Sequence, residues 1–179
     1  MYNLPYTNKQ INIPYLLKIG NGKIYKIGKY LKDKNLPGVA LFLGDGTEEL
    51  VGAELRRGFG DNDINVVHSQ VVSDISIESI TQTAFQLPPA TDVVVGIGGG
   101  KALDFAKYSA HLLRLPFVSV PTSTSNDGFC SPTSSLTVGG RRKTVKSSIP
   151  FGVVIDLDVI RSCPPVFFYS GLGDMVSKI

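Results

Sequence analysis

Tryptophan is missing from the 179 residues, and cysteine, histidine and methionine occur twice each. Cys130 and Cys163 are too few and too far apart for a disulfide framework or a Cys-x-x-Cys zinc site, which predicts free thiols in a reducing compartment. Long apolar runs are also lacking. No window reaches the length of a membrane span, and Met1 to Gln10 is polar with no apolar core, so neither a membrane segment nor a signal peptide is expected. Charge of one sign is scarce too. The net charge of +3 comes from interspersed acids and bases, with no Lys/Arg stripe and no interleaved aromatics, which excludes a nucleic-acid footprint. The expectation is a cytoplasmic protein with a small-molecule partner, long enough for one ordinary domain or for one domain and the start of another.

Glycine is plentiful, and its densest use is local. Val93-Val94-Val95-Gly96-Ile97-Gly98-Gly99-Gly100-Lys101-Ala102-Leu103-Asp104 reads as a buried strand, a glycine turn and the start of a helix. Consecutive glycines let the backbone take positive φ and approach a ligand closely, and the helix N-terminus adds partial positive charge, so the turn suits a phosphate. Lys101 adds a full charge. The alternative is a turn that only packs a helix close to a sheet. The usual dinucleotide fingerprint does not fit, because its third glycine would fall on Lys101 or Leu103. No acid lies about 20 residues downstream to read a ribose either, since that region is Pro116 to Pro121.

Apolar runs and helical-period segments alternate along the rest of the chain. Strands are predicted at Tyr15–Ile19, Val39–Leu43, Ile64–His68, Val93–Gly96, Phe117–Val120 and Gly152–Asp156. Between them lie a helical stretch with Ile24, Ile27, Tyr30 and Leu31, one N-capped by Thr47, one over Ile75–Phe85 and one from the glycine loop to about Leu113. Ser134–Val138 and Thr144–Ser147 predict a β-hairpin with a basic tip, Gly139-Gly140-Arg141-Arg142-Lys143. Pro164-Pro165 then breaks the chain ahead of a helical segment, Val166–Ile179. The pattern predicts an α/β, Rossmann-like doubly wound parallel sheet with a hairpin insertion. Ligands of such sheets bind beyond the carboxyl ends of the strands, which makes Asp45, in Gly44-Asp45-Gly46, a candidate for ribose hydroxyls and for NAD over NADP. An ordinary Asp-Gly turn is the alternative.

Two stretches resemble a known family. Gly98-Gly99-Gly100-Lys101-Ala102-Leu103-Asp104-Phe105-Ala106-Lys107 is similar to the G-G-G-x-x-x-D-x-A-K of iron-containing alcohol dehydrogenases, glycerol dehydrogenases and dehydroquinate synthases. Pro121-Thr122-Ser123-Thr124-Ser125-Asn126-Asp127-Gly128-Phe129-Cys130-Ser131-Pro132 resembles the P-T-x-x-S-x-D-G-x-x-S-P of glycerol-1-phosphate dehydrogenases within that group. Lys146, Pro150, Val153 to Asp156 and Gly171-Leu172-Gly173-Asp174 continue the likeness.

The resemblance implies an NAD(P)-binding domain over residues 1–163 and the beginning of an uncompleted all-helical, metal-binding domain over 164–179. It implies that Gly98, Gly99, Gly100 and Lys101 hold the cofactor's pyrophosphate, with Thr122, Thr124 and Ser125 beside its adenine or nicotinamide side. Asp127 matches the aspartate that contacts substrate hydroxyls and the nicotinamide region, and Asp174 matches the first ligand of a catalytic divalent metal, zinc ahead of nickel or iron. The implied function is the cofactor-binding half of a dehydrogenase for glycerol 1-phosphate and dihydroxyacetone phosphate, inactive as this chain alone. His68 and His111 both precede Asp174 and do not match the family's histidine ligands. Of the basic residues that could clamp a substrate phosphate, Lys146 matches a family position, whereas Arg141 and Arg142 read as a solvated hairpin tip. A glycerol dehydrogenase, or a non-catalytic nucleotide- or phosphate-binding module, are the alternatives. Apolar residues around Pro164–Ile179 predict self-association or disorder of that tail, and a homo-oligomer is expected.

Overall fold

The computed structural model describes residues 13–177. The polar stretch Met1–Gln10 and the end of the predicted terminal helix, Lys178 and Ile179, lie outside them. In chain order the first elements are β1 (Leu16–Gly20), α1 (Ile27–Lys32), β2 (Gly38–Leu43), α2 (Thr47–Gly60), β3 (Asn65–Val71), α3 (Ile77–Gln86) and β4 (Val93–Gly98). They are followed by α4 (Gly100–Leu113), β5 (Phe117–Pro121), β6 (Thr133–Val138), β7 (Arg141–Lys146), β8 (Gly152–Asp156), α5 (Leu157–Ser162) and α6 (Pro165–Val176).

Six strands form one parallel sheet in the order β1-β8-β5-β4-β2-β3, while β6 and β7 pair antiparallel as a separate hairpin. Alternate side chains of the central strands feed two cores. Val39, Leu41, Val93, Val95, Val118 and Val120 pack with Ile27, Leu55 and Phe59 of α1 and α2. Ala40, Phe42, Val94 and Phe117 pack with Ile80 and Phe105 of α3 and α4. Strands buried on both faces have no polar alternation to show, and this is why β2 and β4 read as continuous apolar runs. The doubly wound sheet expected from the sequence is therefore present.

Several local expectations change. Gly46, at φ 68°, is the N-cap of α2, and Thr47 is its first residue, buried and offering no side-chain cap. Only glycine takes this left-handed entry at little cost. Ser76 caps α3, its hydroxyl accepting the Ser79 N–H at 3.3 Å, so the helix begins after Ile75 rather than on it. The third strand runs on to Val71 instead of ending at His68. β3 is an edge strand with mostly exposed side chains, and His68 lies within it, its ring 5.5 Å from that of Phe42. The hairpin tip is Gly139-Gly140 alone, both at positive φ (57° and 75°), as a tight two-residue turn requires. Arg141, Arg142 and Lys143 belong to β7, not to the tip.

Candidate functional site

From β2 the chain crosses through α2 to β3 at one edge, and from β4 it crosses through α4 to β5 on the other side. The carboxyl ends of β2 and β4 thus flank the point where the winding reverses, and a crevice opens there. Two glycine-bearing turns meet at this crevice. Gly44 donates its N–H to the Ile97 carbonyl at 2.9 Å, and Thr122 donates its N–H to the Gly98 carbonyl at 3.1 Å, so the ends of β2, β4 and β5 are tied together. Gly98 has φ 144°, and a Cβ on it would sit 2.9 Å from the Gly44 nitrogen and 3.0 Å from its Cα. Gly99 faces open space. It is the N-cap of the 14-residue α4, with no side-chain cap and no acid in the first turn, so the orphan N–H groups of that turn are left for an incoming acceptor. Gly96 performs the packing task of the missing third glycine: a Cβ there would lie 2.7 Å from Ala106 Cβ, so its absence lets α4 approach the sheet.

A cavity of about 960 Å³ lies over this crevice. Of the predicted cofactor residues, Asp45, Gly99, Gly100, Lys101, Thr122 and Ser125 line it, whereas Gly98 is buried and does not. Thr124 does not line it, but faces a neighbouring cavity of about 300 Å³ together with Asp127 and Asp174. Those two aspartates also line a third cavity of about 470 Å³, as does Lys101. Lys146 is exposed and lines none of the three, whereas Arg142 of the same strand lines the third. Cys163 and Phe167, from the junction of α5 and α6, form part of the wall of the first cavity and carried no signal in the sequence. Burial pushes the Cys163 thiol above its ordinary pKa, opposed by a backbone hydrogen bond from Thr124.

The loop after β5 is held from two sides. On one, α6 packs against it: the Asp127 N–H donates to Asp174 Oδ2 at 3.3 Å, and the Ser170 hydroxyl donates to the Ser125 carbonyl at 3.3 Å. On the other, the fully buried Lys107 ammonium of α4 donates to the carbonyls of Gly128 (2.8 Å) and Thr133 (2.7 Å) and lies 3.4 Å from Asp104 Oδ1. Desolvation lowers the pKa of Lys107 and raises that of Asp104, each opposed by the attraction of its partner. Sequence reasoning assigned neither residue a task. Their place in the G-G-G-x-x-x-D-x-A-K stretch was the available signal. Asp156 was also unassigned. It is buried and accepts the Ile24 and Asp158 N–H groups at 2.8 and 3.0 Å, fixing the β1–α1 turn and capping α5.

Three carboxylates approach the polar side of the site, yet among the described residues no group of three or more His, Cys, Asp or Glu is placed to hold a metal ion. His111 is turned to the Ser148 hydroxyl, 2.8 Å away, on the last turn of α4.

A doubly wound sheet with a capless helix and a glycine turn at its reversal point is an α/β domain of the kind whose crevice receives ligands. The family model for iron-containing alcohol dehydrogenases matches residues 18–164, and the chain belongs to that family. It is similar to a glycerol-1-phosphate dehydrogenase [NAD(P)+] of Metallosphaera sedula, 35% identical over 173 residues that cover 94% of this chain and 48% of the relative. The enzyme of the same name from Archaeoglobus fulgidus is 31% identical over 172 residues, covering 96% and 48%. The crystal structure of a glycerol dehydrogenase from Schizosaccharomyces pombe superposes with a TM-score of 0.80 at 28% identity, over 92% of this chain and 42% of that one. The chain spans about half the length of the curated relatives it matches.

Proposed function

We propose that this chain binds the dinucleotide of an NAD(P)-linked dehydrogenase and forms one wall of a site that acts on glycerol 1-phosphate and dihydroxyacetone phosphate. The observation that carries the reading is the cavity of about 960 Å³ over the uncapped N-terminus of α4. In this reading the N–H groups around Gly99 and Gly100, with the Lys101 ammonium, hold the pyrophosphate, which needs partial and full positive charge close to the backbone. Asp45 accepts hydrogen bonds from the ribose hydroxyls and disfavours a 2′-phosphate by repulsion, giving NAD over NADP. Thr122, Ser125 and Thr124 supply hydroxyls toward the adenine or nicotinamide side. Asp127 orients substrate hydroxyls, and Lys146 is the family-matched cation for the substrate phosphate. The nicotinamide, when bound, supplies the hydride acceptor or donor; the residues named here bind and orient.

A divalent metal is a separate matter. Asp174 offers one carboxylate, short of the roughly three protein ligands of a catalytic zinc centre, so the described residues do not hold a metal by themselves and no step is routed through one. The names of the glycerol-1-phosphate dehydrogenase relatives support the phosphorylated substrate. The likeness to the S. pombe glycerol dehydrogenase favours unphosphorylated glycerol as a second reading.

Titration calorimetry tests the proposal. The chain should take up NADH saturably and more tightly than NADPH, and Gly98→Ala should abolish the heat of binding because the new Cβ meets backbone atoms of Gly44 that cannot turn aside. An unchanged isotherm for Gly98→Ala, or no NADH binding at all, refutes it. Binding of dihydroxyacetone phosphate but not dihydroxyacetone to the NADH complex decides between the two substrates.

A further inference from the structure

None of the residues lining the cavity of about 960 Å³ comes from the β6–β7 hairpin. Strand register pairs Ser135 with Thr144 and Thr137 with Arg142, so Ser135, Thr144 and Arg142 stand on one face. That face lines the cavity of about 470 Å³. The opposite face is anchored in the core by Leu136, fully buried in the cluster that contains Ile80 and Phe105. Lys101 lines both this cavity and the dinucleotide cavity, so the two spaces share a wall.

Charge within the cavity is unevenly committed. Asp104 is already engaged, by Lys107 at 3.4 Å and by the Ser135 N–H at 3.1 Å. Asp127 and Asp174 enter from a different wall, the loop after β5 and α6. The Arg142 guanidinium has no ion pair or hydrogen bond among the described residues; its charge reaches Asp104 only at longer range, where it opposes the rise in that carboxyl's pKa. A guanidinium with no hydrogen bond among the described residues, flanked by two hydroxyls in a cavity that Lys101 also lines, is a site for a tetrahedral dianion, whose oxygens match the guanidinium fork two at a time.

We infer that Arg142, with Thr144 and Ser135 beside it, is the specificity-determining subsite for the phosphomonoester of the substrate. The inference rests on the dehydrogenase reading and moves the phosphate clamp from Lys146 to Arg142. Lys146 shares the face by register, but it sits opposite Thr133 at the far end of the hairpin and does not line this cavity.

The test titrates glycerol 1-phosphate and glycerol into the wild-type chain and into Arg142→Met and Arg141→Met, following the arginine side-chain N–H signals by NMR, with NADH affinity measured in parallel. Arg141 pairs with Val138 on the other face, so its variant loses the same charge without touching the cavity. Glycerol 1-phosphate should shift the Arg142 signal saturably, with affinity reduced about tenfold or more in Arg142→Met, the loss expected for one charge-assisted pair, and unchanged in Arg141→Met. NADH affinity should be the same in all three. Equal weakening in both variants, an equal response to glycerol, or no saturable shift overturns the assignment. Phosphate binding through Arg142 in a chain that fails to bind NADH supports the subsite and overturns the dehydrogenase reading instead.

Discussion

Lys107 shows how one side chain can join two parts of a site. Its ammonium lies under the loop that carries Asp127, and its helix begins at the glycine cradle, so the distance between cradle and loop depends on its hydrogen bonds to Gly128 and Thr133. Replacing it by methionine keeps the apolar stem but leaves Asp104 and two carbonyls without their partner in a buried setting. Removal of one member of such a pair costs about 3–5 kcal/mol, and denaturant unfolding of Lys107→Met should show a loss of that size. A loss under about 1 kcal/mol, the scale of a surface pair, contradicts the clamp. The sequence placed Lys107 on a helix in a recognisable motif. It could not assign the contacts, because the acceptors come from residues more than a helix length downstream and meet it only through the fold.

At the scale of elements, the α5–α6 junction is the least foreseeable part of the site. Pro164-Pro165 signals a break, and Pro165 opens α6 as proline does at a first helical position, but nothing local says that the break closes one side of the nucleotide cavity. Cys163 at the end of α5 provides a reporter. It lines that cavity, whereas Cys130 lies exposed in the loop after β5. Bound NADH should slow alkylation of Cys163, whose burial-raised thiol reacts more slowly than an ordinary one to begin with, and should leave Cys130 labelling unchanged. Mass spectrometry of both sites reads the result, and equal labelling of Cys163 with and without NADH places the dinucleotide elsewhere. The hairpin teaches the same lesson differently. Its glycines and alternation were legible, but the reading of a basic tip failed because register, set by a two-residue turn, draws the arginines into the strand.

Among the described residues, much of the exposed apolar surface falls on α6 and on the edge strand β1, with Phe85 of α3 and Val71 of β3 exposed elsewhere. Phe168, Tyr169, Met175 and Val176 on the helix, and Leu17 and Ile19 on the strand, are each more than half exposed. Apolar surface of this extent favours association. Sedimentation velocity over a range of concentrations should show dimers or larger species that dissociate on dilution, and a monomer at every concentration would defeat the expectation of a homo-oligomer. In the sheet order, the neighbour of β4 on the reversal side is β2, an earlier strand, so the carboxylate that lines the cavity with Gly99 and Gly100 lies upstream of the glycine loop, at Asp45.

The sequence by itself determined the alternation of strands and helices, the glycine cradle and the polar loop from Pro121 to Pro132, because apolar period, glycine freedom and turn chemistry act over a few residues. Only the tertiary structure decided which of these ends meet. Parallel strand order brings Gly44 against Gly98, register turns Arg142 rather than Arg141 toward a cavity, and burial makes Lys107 a clamp. Each of these depends on which distant segments share a neighbour, and no local preference encodes that.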